Sequence, residues 1–249
     1  MRTWLPITIL AATGCASIYS PQSLVTEQPI PPPAEATAEG TLTRGEDRIL
    51  VSGHSLNPSH ASALFDRVAE SVLSIWGSRS RGSGFVISRE GLALTNHHLI
   101  EGQQNLRARF RDGRVVAIRV IRSDPASDVA LLQLPCGQPC TTVTLGGDDI
   151  VVGSDVYIIG TPLSDFLSHT LTKGIVSGLR SRNGIARIQT DAAINRGSSG
   201  GPMVDAASGQ VIGIVSSKLV GGDVEGIGFG TAITDALRLL RVDTSAVDR

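Results

Sequence analysis

The sequence has little net charge, few cysteines and no long apolar run. Each of these features excludes some classes of protein. Its 249 residues include 22 lysines and arginines against 23 aspartates and glutamates, which gives a formal net charge of -1. No basic field therefore points to nucleic acid, and no acidic field points to a basic partner. With 41% hydrophobic residues and 28 glycines, the composition is that of a globular protein with many turns.

The N-terminal apolar segment is too short to cross a bilayer. It runs from Trp4 to Ala12 after a short positive start, whereas a membrane-spanning helix needs about 20 residues. These features are typical of a cleaved export signal, which we place at residues 1–15. Ala12-Thr13-Gly14-Cys15 also resembles the bacterial lipobox, in which the cysteine is lipidated and becomes the new N-terminus. An ordinary signal peptide cut near Ala16 or Ser20 is the alternative.

The two remaining cysteines, Cys136 and Cys140, lie close together in a turn-rich segment. In an exported protein such a pair predicts a disulfide, and Gly137 and Pro139 would help the tight loop to close. Metal binding is the competing interpretation, but no second pair of ligands accompanies the two cysteines. We therefore expect a disulfide here and no metal.

The two ends of the chain differ from its middle. Residues 16–60 are rich in proline, serine, threonine and glutamate. They bury too little to offset their ordering entropy, so we predict a disordered tether. A short helical pattern follows over residues 61–71. A last helix is expected to be capped by Thr234-Asp235, with an apolar side of Ala236, Leu237 and Leu240. Residues 241–249 form a tail.

Short β-rich runs separated by glycine, aspartate and asparagine fill the middle of the chain. Such runs are the signature of an all-β barrel or sandwich. They fall into two sets of six, on either side of a turn-rich join at residues 136–152. The first set covers residues 72–76, 84–88, 92–96, 106–110, 115–121 and 129–134. The second set covers residues 156–159, 171–177, 186–190, 202–204, 211–216 and 228–232.

The most informative stretch is Gln189–Pro202, where a serine lies between small residues. Ser199 can present its hydroxyl on a sharp turn, and adjacent glycines let the backbone aim N–H groups at a developing oxyanion. The stretch therefore predicts Ser199 as a nucleophile. The predicted oxyanion hole is the segment Gly197, Ser198 and Ser199, in which the N–H groups of Gly197 and Ser199 are the donors. A glycine-rich hairpin with a chance serine is the alternative.

A serine hydroxyl needs a base, and the base needs an orienting carboxylate. His97 and His98 end an apolar strand, and alternation along this strand puts His98 on its apolar face and His97 opposite. Asp128 stands immediately before a wholly apolar strand, where a buried carboxylate is costly unless it is paired. A structural histidine and an ordinary turn aspartate are the alternatives. The order His98, Asp128, Ser199 is that of chymotrypsin.

Five segments of the sequence match motifs of one family. They are Arg81–Val86, Leu94–Leu99, Ser127–Leu131, Lys173–Ser177 and Gln189–Gly201. In that order they are similar to the Gly-Ser-Gly strand, the Thr-Asn-x-His-Val motif, the aspartate motif, the Gly-Ile-Val-Ser strand and the nucleophile region of HtrA/DegP (Do-like) proteases. The resemblance extends over about residues 69–240. Because the family's base is the fourth residue of its histidine motif, the resemblance assigns that role to His98.

The resemblance implies a trypsin-like fold of two six-stranded antiparallel β-barrels, at about residues 69–140 and 150–233, within a protease domain of residues 61–240. It implies a serine endopeptidase in which Ser199 attacks a peptide carbonyl, His98 is general base and then general acid, and Asp128 holds the imidazole. No metal or other cofactor is required. A catalytically silent binding module and a narrow-specificity regulatory protease are the alternatives.

The resemblance also implies where the protein acts. Its substrates would be unfolded exported proteins, in the periplasm or at an envelope membrane to which Cys15 anchors the chain. Nucleic acid is not expected as a partner. HtrA proteins normally carry PDZ domains after the protease, and because the sequence ends at Arg249 we expect none. Cage-like oligomers are therefore not carried over, and the oligomeric state is left open.

By the same resemblance, the P1 side chain of a substrate enters a pocket between two segments. Its walls are Ala193, Ile194 and Asn195 before the nucleophile, and Ser216, Ser217 and Lys218 on a later strand. Ala193 and Ile194 would make a small apolar floor that favours modest aliphatic P1 residues. Lys218 is either a surface lysine on a loop tip or a cation at the pocket mouth that admits acidic or polar P1 residues.

Overall fold

The structure is a computed structural model, and it describes residues 60–161, 169–218 and 226–243. The predicted export signal, Cys15, the tether up to residue 59 and the last six residues of the tail lie outside the described residues. So do the side chains of Ser217 and Lys218, of which only the backbone is described. None of the described helices is long and apolar enough to cross a membrane.

A helix stands at each end of the described chain, with thirteen described strands between them. Helix α1 is His60–Ala69 and helix α2 is Ile233–Leu239. The first seven strands are β1 (Val72–Trp76), β2 (Arg81–Val86), β3 (Leu92–Thr95), β4 (Arg107–Arg109), β5 (Val115–Ala117), β6 (Arg119–Asp124) and β7 (Val129–Gln133). The other six are β8 (Asp155–Gly160), β9 (Thr170–Arg182), β10 (Ile185–Thr190), β11 (Pro202–Asp205), β12 (Val211–Lys218) and β13 (Gly228–Ala232).

The first half forms one antiparallel sheet in the order β5-β4-β1-β2-β3-β7-β6. Its two edge strands, β5 and β6, are consecutive in the chain and are separated by Ile118 alone. The sheet must therefore curl so that its two edges come close together at Ile118. The single strand predicted over residues 115–121 is therefore split. Ile118 donates its N–H to Leu106 O, and a register shift follows between Val120 and Arg122. Such irregularities bend a strand, and the predicted barrel is a curled half-barrel of seven strands.

The second half is a closed barrel of six strands in the order β10-β13-β12-β11-β8-β9. This confirms the predicted fold class. Strand β9 runs well past the predicted end at residue 177 because it pairs with β10 up to Arg182, opposite Ile185. Asn183 and Gly184 make the turn with φ of 54° and 73°. An Asn-Gly pair between two strands is a strong hairpin signal, which could have predicted this extension.

Three apolar cores hold the two halves and both helices together. One core fills the curled sheet and another fills the closed barrel. The third lies between the halves and takes residues from α1, from both sheets and from α2. Among its members are Leu64, Phe85, Leu94, Ile159, Ile214 and Ile233. Since burial of apolar surface is the main favourable term in folding, this shared core fixes one half against the other.

Helix α2 does not begin with the predicted Thr234-Asp235 cap. Its N-cap is Ala232, which has no side-chain hydrogen bond to offer. The Thr234 hydroxyl donates to the Asp148 carboxylate, and the Asp235 carboxylate accepts the Ala186 N–H at 2.6 Å. The predicted cap is wrong because both side chains tie the helix to neighbouring segments instead.

The sulfur atoms of Cys136 and Cys140 lie at disulfide-bonding distance, with their Cα atoms 5.7 Å apart. The loop that they close lies against the curled sheet. Arg114 Nη1 donates to Cys136 O at 2.8 Å, and the Cys140 N–H donates to Arg89 O at 2.9 Å. The pair therefore holds the start of the join between the two halves.

Candidate active site

His98 lies in a single turn of 3-10 helix, His97–Leu99, that follows strand β3. The strand ends at Thr95, and Asn96 is the N-cap of the turn. The strand-alternation argument for His98 is therefore wrong, because the chain no longer has a strand's period of two at this point. The turn nevertheless separates the two histidines. The side chain of His98 is 47% exposed and that of His97 is 14% exposed.

The Asp128 carboxylate holds His98 at two places. His98 Nδ1 lies 3.0 Å from Asp128 Oδ1 and 2.9 Å from Oδ2. The His98 backbone N–H also donates to Oδ1 at 3.0 Å. Because an ionised carboxylate only accepts hydrogen bonds, the ring must carry its proton on Nδ1. In the neutral ring the lone pair is then on Nε2, as a general base requires.

The pKa of Asp128 reflects its surroundings. Burial alone would raise the pKa of this carboxyl. Hydrogen bonds from the His98 ring and the His98 backbone N–H, together with one from Ser216, outweigh burial and hold the pKa below its ordinary value. Asp128 is therefore ionised at neutral pH, as an orienting carboxylate must be.

Ser216 links Asp128 to the candidate nucleophile. Its hydroxyl donates to Asp128 Oδ2 at 2.7 Å, and its backbone carbonyl accepts the Ser199 hydroxyl at 3.1 Å. Among the residues that the structure describes, Ser199 Oγ makes no hydrogen bond to His98. Sequence reasoning assigned Ser216 to the substrate pocket and missed its contact with Asp128, since nothing local relates residues 88 positions apart.

The peptide group between Gly197 and Ser198 is fixed at both ends. The Ser198 N–H donates to Asn195 O at 3.0 Å. The Gly197 carbonyl accepts the hydroxyl of Ser83, a fully buried residue of β2, at 2.5 Å. Of the three residues predicted for the oxyanion hole, Ser198 therefore has its N–H already engaged.

The next peptide groups are also fixed. The Ser198 carbonyl accepts the Gly201 N–H at 2.9 Å, and the Ser199 carbonyl accepts the Ser83 N–H at 2.8 Å. In a trans peptide the carbonyl and the N–H point in opposite directions. Within the described part of the chain, the N–H groups of Gly197 and Ser199 make no hydrogen bond. The loop thus offers two free donors beside the Ser199 hydroxyl, which is the chemistry of an oxyanion hole.

The residues predicted to form the floor of the P1 pocket lie in different surroundings. Ile194 is 7% exposed and packs in the core of the closed barrel, where a Cβ added at Gly228 would overlap its side chain. Ala193 is exposed, and its carbonyl accepts the Thr172 hydroxyl at 2.9 Å. Asn195 is exposed as well. Ile194 is therefore the buried member of this segment, and it lies against Gly228 of β13.

The structure brings a histidine–aspartate pair on a curled sheet together with a serine loop on a closed barrel. Fold and site define a class, the trypsin-like peptidases. The chain belongs to the family described as "Trypsin-like peptidase domain", which matches residues 82–214.

Curated relatives within this class are HtrA and DegP serine proteases. The chain is 36% identical over 190 residues to "Serine protease Do-like HtrA" of Bacillus subtilis, which covers 67% of this chain and 42% of the relative. It is 39% identical over 168 residues to "Probable periplasmic serine endoprotease DegP-like" of Ectopseudomonas mendocina, which covers 65% of this chain and 35% of the relative. The chain thus spans less than half the length of either.

Similar solved structures are also HtrA-type proteases. The chain is similar to "HtrA-type protease AlgW with tripeptide", with a TM-score of 0.67 and 36% identity, over 74% of this chain and 63% of the other. The same protease with a decapeptide gives a TM-score of 0.65 and 31% identity, over 74% and 66% of the two chains. The resemblance to HtrA/DegP proteases that the sequence motifs indicate is confirmed.

Proposed function

We propose that this chain is a serine endopeptidase whose catalytic triad is His98, Asp128 and Ser199. The observation that carries the proposal is the pairing of His98 Nδ1 with the Asp128 carboxylate at 2.9 Å. It leaves Nε2 free to take a proton, and the Ser199 loop supplies a hydroxyl and two unused N–H groups. These are the parts that acyl transfer needs.

The reaction begins when Ser199 gives up its hydrogen bond to Ser216 O and donates to His98 Nε2 instead. Ser199 Oγ then forms a bond to the carbonyl carbon of the substrate while its proton passes to Nε2. The N–H groups of Gly197 and Ser199 donate hydrogen bonds to the carbonyl oxygen and stabilise the negative charge that develops on it. Each such donor contributes roughly 10²–10³ in kcat.

The second half of the cycle uses the same groups in reverse. The C–N bond breaks, and His98 returns the proton to the leaving amine. A water molecule then gives a proton to His98 and attacks the acyl-enzyme, which releases the acid and regenerates Ser199. Asp128 stays ionised throughout and stabilises the imidazolium that forms twice in each cycle.

Unfolded exported proteins are the proposed substrates, and protein quality control in the cell envelope is the proposed role. Relatives named as periplasmic endoproteases support this assignment, as do solved relatives that hold peptides. The test compares hydrolysis of a reduced, alkylated protein with hydrolysis of its native form. We expect cleavage of the unfolded form alone, and none by Ser199→Ala. Equal cleavage of both forms would overturn the proposed role.

The P1 preference proposed for this site is a small aliphatic residue. The apolar side chains of Ala193 and Ile194, which precede the nucleophile, support it, and that of Ile194 lies against Gly228. Lys218 could widen the preference to acidic or polar P1 residues. A P1 peptide library on wild type and Lys218→Ala separates the two proposals. Matching profiles with valine or alanine preferred exclude a part for Lys218.

A lipid anchor on Cys15 is proposed from the sequence. The segment Ala12–Cys15 follows a short apolar run, as in a lipobox, and periplasmic relatives support export. Labelled fatty acid should be incorporated by the wild type and not by Cys15→Ser. Label that persists in Cys15→Ser would exclude an anchor on Cys15, and a wild type without label would indicate an ordinary signal peptide.

A catalytically silent binding module is the second candidate. The observation that favours it is the Ser199 hydroxyl, which is bonded to Ser216 O and not to His98. A hydroxyl can exchange such a bond by rotating about χ1 at little cost, so this arrangement is compatible with either function. A folded wild type that binds unfolded protein without cleaving it would favour the module.

A further inference from the structure

An arginine of the closed barrel reaches the turn that carries Asp128. Arg187 lies half-buried on β10, directly opposite Thr231 of β13. Its Nη1 donates to Thr231 Oγ1 at 2.5 Å, and its Nη2 donates to Ala126 O at 3.4 Å. Thr231 is fully buried and in turn donates its hydroxyl to Ser127 O at 2.9 Å. Two residues of the second half thus hold the two carbonyls that precede Asp128.

The arginine fixes the direction of the threonine hydroxyl. A guanidinium can only donate hydrogen bonds, so Thr231 Oγ1 must accept from Arg187. The hydroxyl has a single proton, and that proton is then directed to Ser127 O. Burial lowers the pKa of Arg187, and the negative charge of Asp128 opposes this shift. Because a guanidinium is not deprotonated in proteins, Arg187 stays charged and the order of donors stays the same.

The backbone of Asp128 is held from both sides. The carbonyl before it, Ser127 O, accepts from Thr231. Its own carbonyl accepts Asn96 Nδ2 at 2.9 Å. Asp128 has a φ of 58°, a left-handed conformation that side-chain-bearing residues keep only where their surroundings enforce it. Rotation of either peptide group would swing the carboxylate away from the His98 ring.

We propose that Thr231 and Arg187 are positioning residues for Asp128, and that they act across the two halves on the turn that aims its carboxylate at His98. This inference rests on the proposed function and deepens it. Asn96 belongs to the same half as His98 and Asp128, whereas Thr231 and Arg187 belong to the half that carries Ser199. Hydrogen bonds between the two halves therefore orient the His98–Asp128 pair relative to Ser199, in addition to the apolar core that the halves share.

The test uses full-length variants with one substitution each. Thr231→Val removes the hydroxyl and keeps the shape, and Thr231→Ser keeps the hydroxyl. Arg187→Met removes the charged donor. Arg180→Met is the matched control, because Arg180 is the partner of Arg187 on β9. Among the described residues, its Nη1 donates to the carbonyl of its neighbour Leu179 alone. The kinetics are normalised to titrated active sites, and thermal unfolding is recorded for every variant.

Thr231→Val should lower kcat by about 10- to 100-fold at unchanged KM, since small displacements of a catalytic group have effects of this size. The loss should stay below the roughly 10⁴-fold effect of neutralising the carboxylate itself. Arg187→Met should lower kcat by less than Thr231→Val. Thr231→Ser should recover wild-type kcat, and Arg180→Met should leave it unchanged. If Thr231→Ser were as slow as Thr231→Val, the hydroxyl would not be the cause and the inference would fall.

A second readout does not depend on catalysis. The proton between His98 Nδ1 and Asp128 gives a low-field NMR resonance, which can be recorded in Ser199→Ala. Adding Thr231→Val should broaden or shift this resonance, and adding Thr231→Ser should not. If Thr231→Val changes neither the resonance nor kcat, the inference is overturned while the proposed function stands. A wild type without hydrolysis, whose resonance still depends on Thr231, overturns the proposed function and supports the inference.

Discussion

His97 and His98 are adjacent in the chain but have very different surroundings. The His98 ring is half-exposed and paired with a carboxylate. The His97 ring is nearly buried, its Nε2 lies 3.5 Å from Glu101 Oε1, and neither ring nitrogen makes a hydrogen bond to another described residue. One turn of 3-10 helix after β3 is enough to produce this difference. At the residue scale, contact with Asp128 rather than residue type supports His98 over His97 as the proposed base.

His98→Ala should therefore abolish hydrolysis, whereas His97→Ala should retain most of it. Loss of a triad member typically lowers kcat by about 10⁴-fold or more. The measurement is kcat on a peptide substrate for both variants, with circular dichroism to show that each is folded. An inactive His97→Ala beside an active His98→Ala would contradict the assignment.

Asp128 should contribute a pH-dependent part of the stability. Its folded pKa is held below the ordinary value of about 3.9. The ionised form is therefore favoured in the folded state, and this stabilisation is present above about pH 4 and disappears as the pH falls through the folded pKa.

Urea unfolding of wild type and Asp128→Asn at a series of pH values tests this. The wild type should exceed the variant in free energy of unfolding at neutral pH, and the difference should shrink below about pH 4. A difference that stays constant with pH would show that the carboxylate is not stabilised in the folded state.

Strand β2 supports the nucleophile loop. Ser83 donates its hydroxyl to Gly197 O and its N–H to Ser199 O, and its hydroxyl also accepts the Thr161 N–H at 2.8 Å. The loop lies so close to the strand that a Cβ at Gly200, where φ is 83°, would collide with Ser83 O. At the scale of elements, strand β2 of the opposite half fixes the shape of the loop that carries Ser199.

Ser83→Ala should both destabilise the fold and slow catalysis. It leaves the Gly197 carbonyl and the Thr161 N–H without a partner, at a cost of about 1–3 kcal/mol for each buried group. It should also lower kcat, up to the roughly 10²–10³-fold effect of losing one oxyanion donor. Ser71→Ala is the control, because Ser71 is fully buried and its hydroxyl has no partner among the described residues. Equal effects of the two variants would refute the role of Ser83.

The join between the halves should contain an oxidised cysteine pair. Alkylation of the denatured protein without reductant, followed by peptide mass mapping, should modify neither Cys136 nor Cys140. Closing so short a loop contributes about 2 kcal/mol in the chain-entropy account, so reduction should lower the free energy of unfolding by about that amount. Two alkylated cysteines in a fully active protein would exclude a structural disulfide.

The sequence predicts what is local and misses what is made between the halves. Apolar alternation places most of the strands, and the motif around Ser199 points to the nucleophile. The contacts that shape the site join residues far apart: Ser83 and Gly197 are 114 positions apart, and Thr231 and Ser127 are 104 apart. Such contacts depend on how one sheet lies on the other, which no local pattern specifies. The split of the strand at Ile118 was missed because it depends on contacts with Leu106 and with β7, which are distant in sequence but lie within the curled sheet.

At the scale of the whole molecule, the two halves carry complementary chemistry. The curled sheet provides the His98–Asp128 pair. The closed barrel provides Ser199 and two N–H groups that make no hydrogen bond to another described residue. The apolar core between them and the bonds of Ser83, Ser216 and Thr231 set their relative position. Activity should therefore require both halves in their native arrangement. In that arrangement a single serine, Ser199, should be activated.

Labelling with a fluorophosphonate, followed by mass mapping of the adduct, tests this central claim most directly. A serine reacts with the reagent only when a base activates it. We expect a single adduct on Ser199 of the folded wild type, no adduct in Ser199→Ala, and almost none in His98→Ala. A folded wild type that takes up no label, or takes it up on another serine, would contradict the assignment of His98, Asp128 and Ser199 as a catalytic triad.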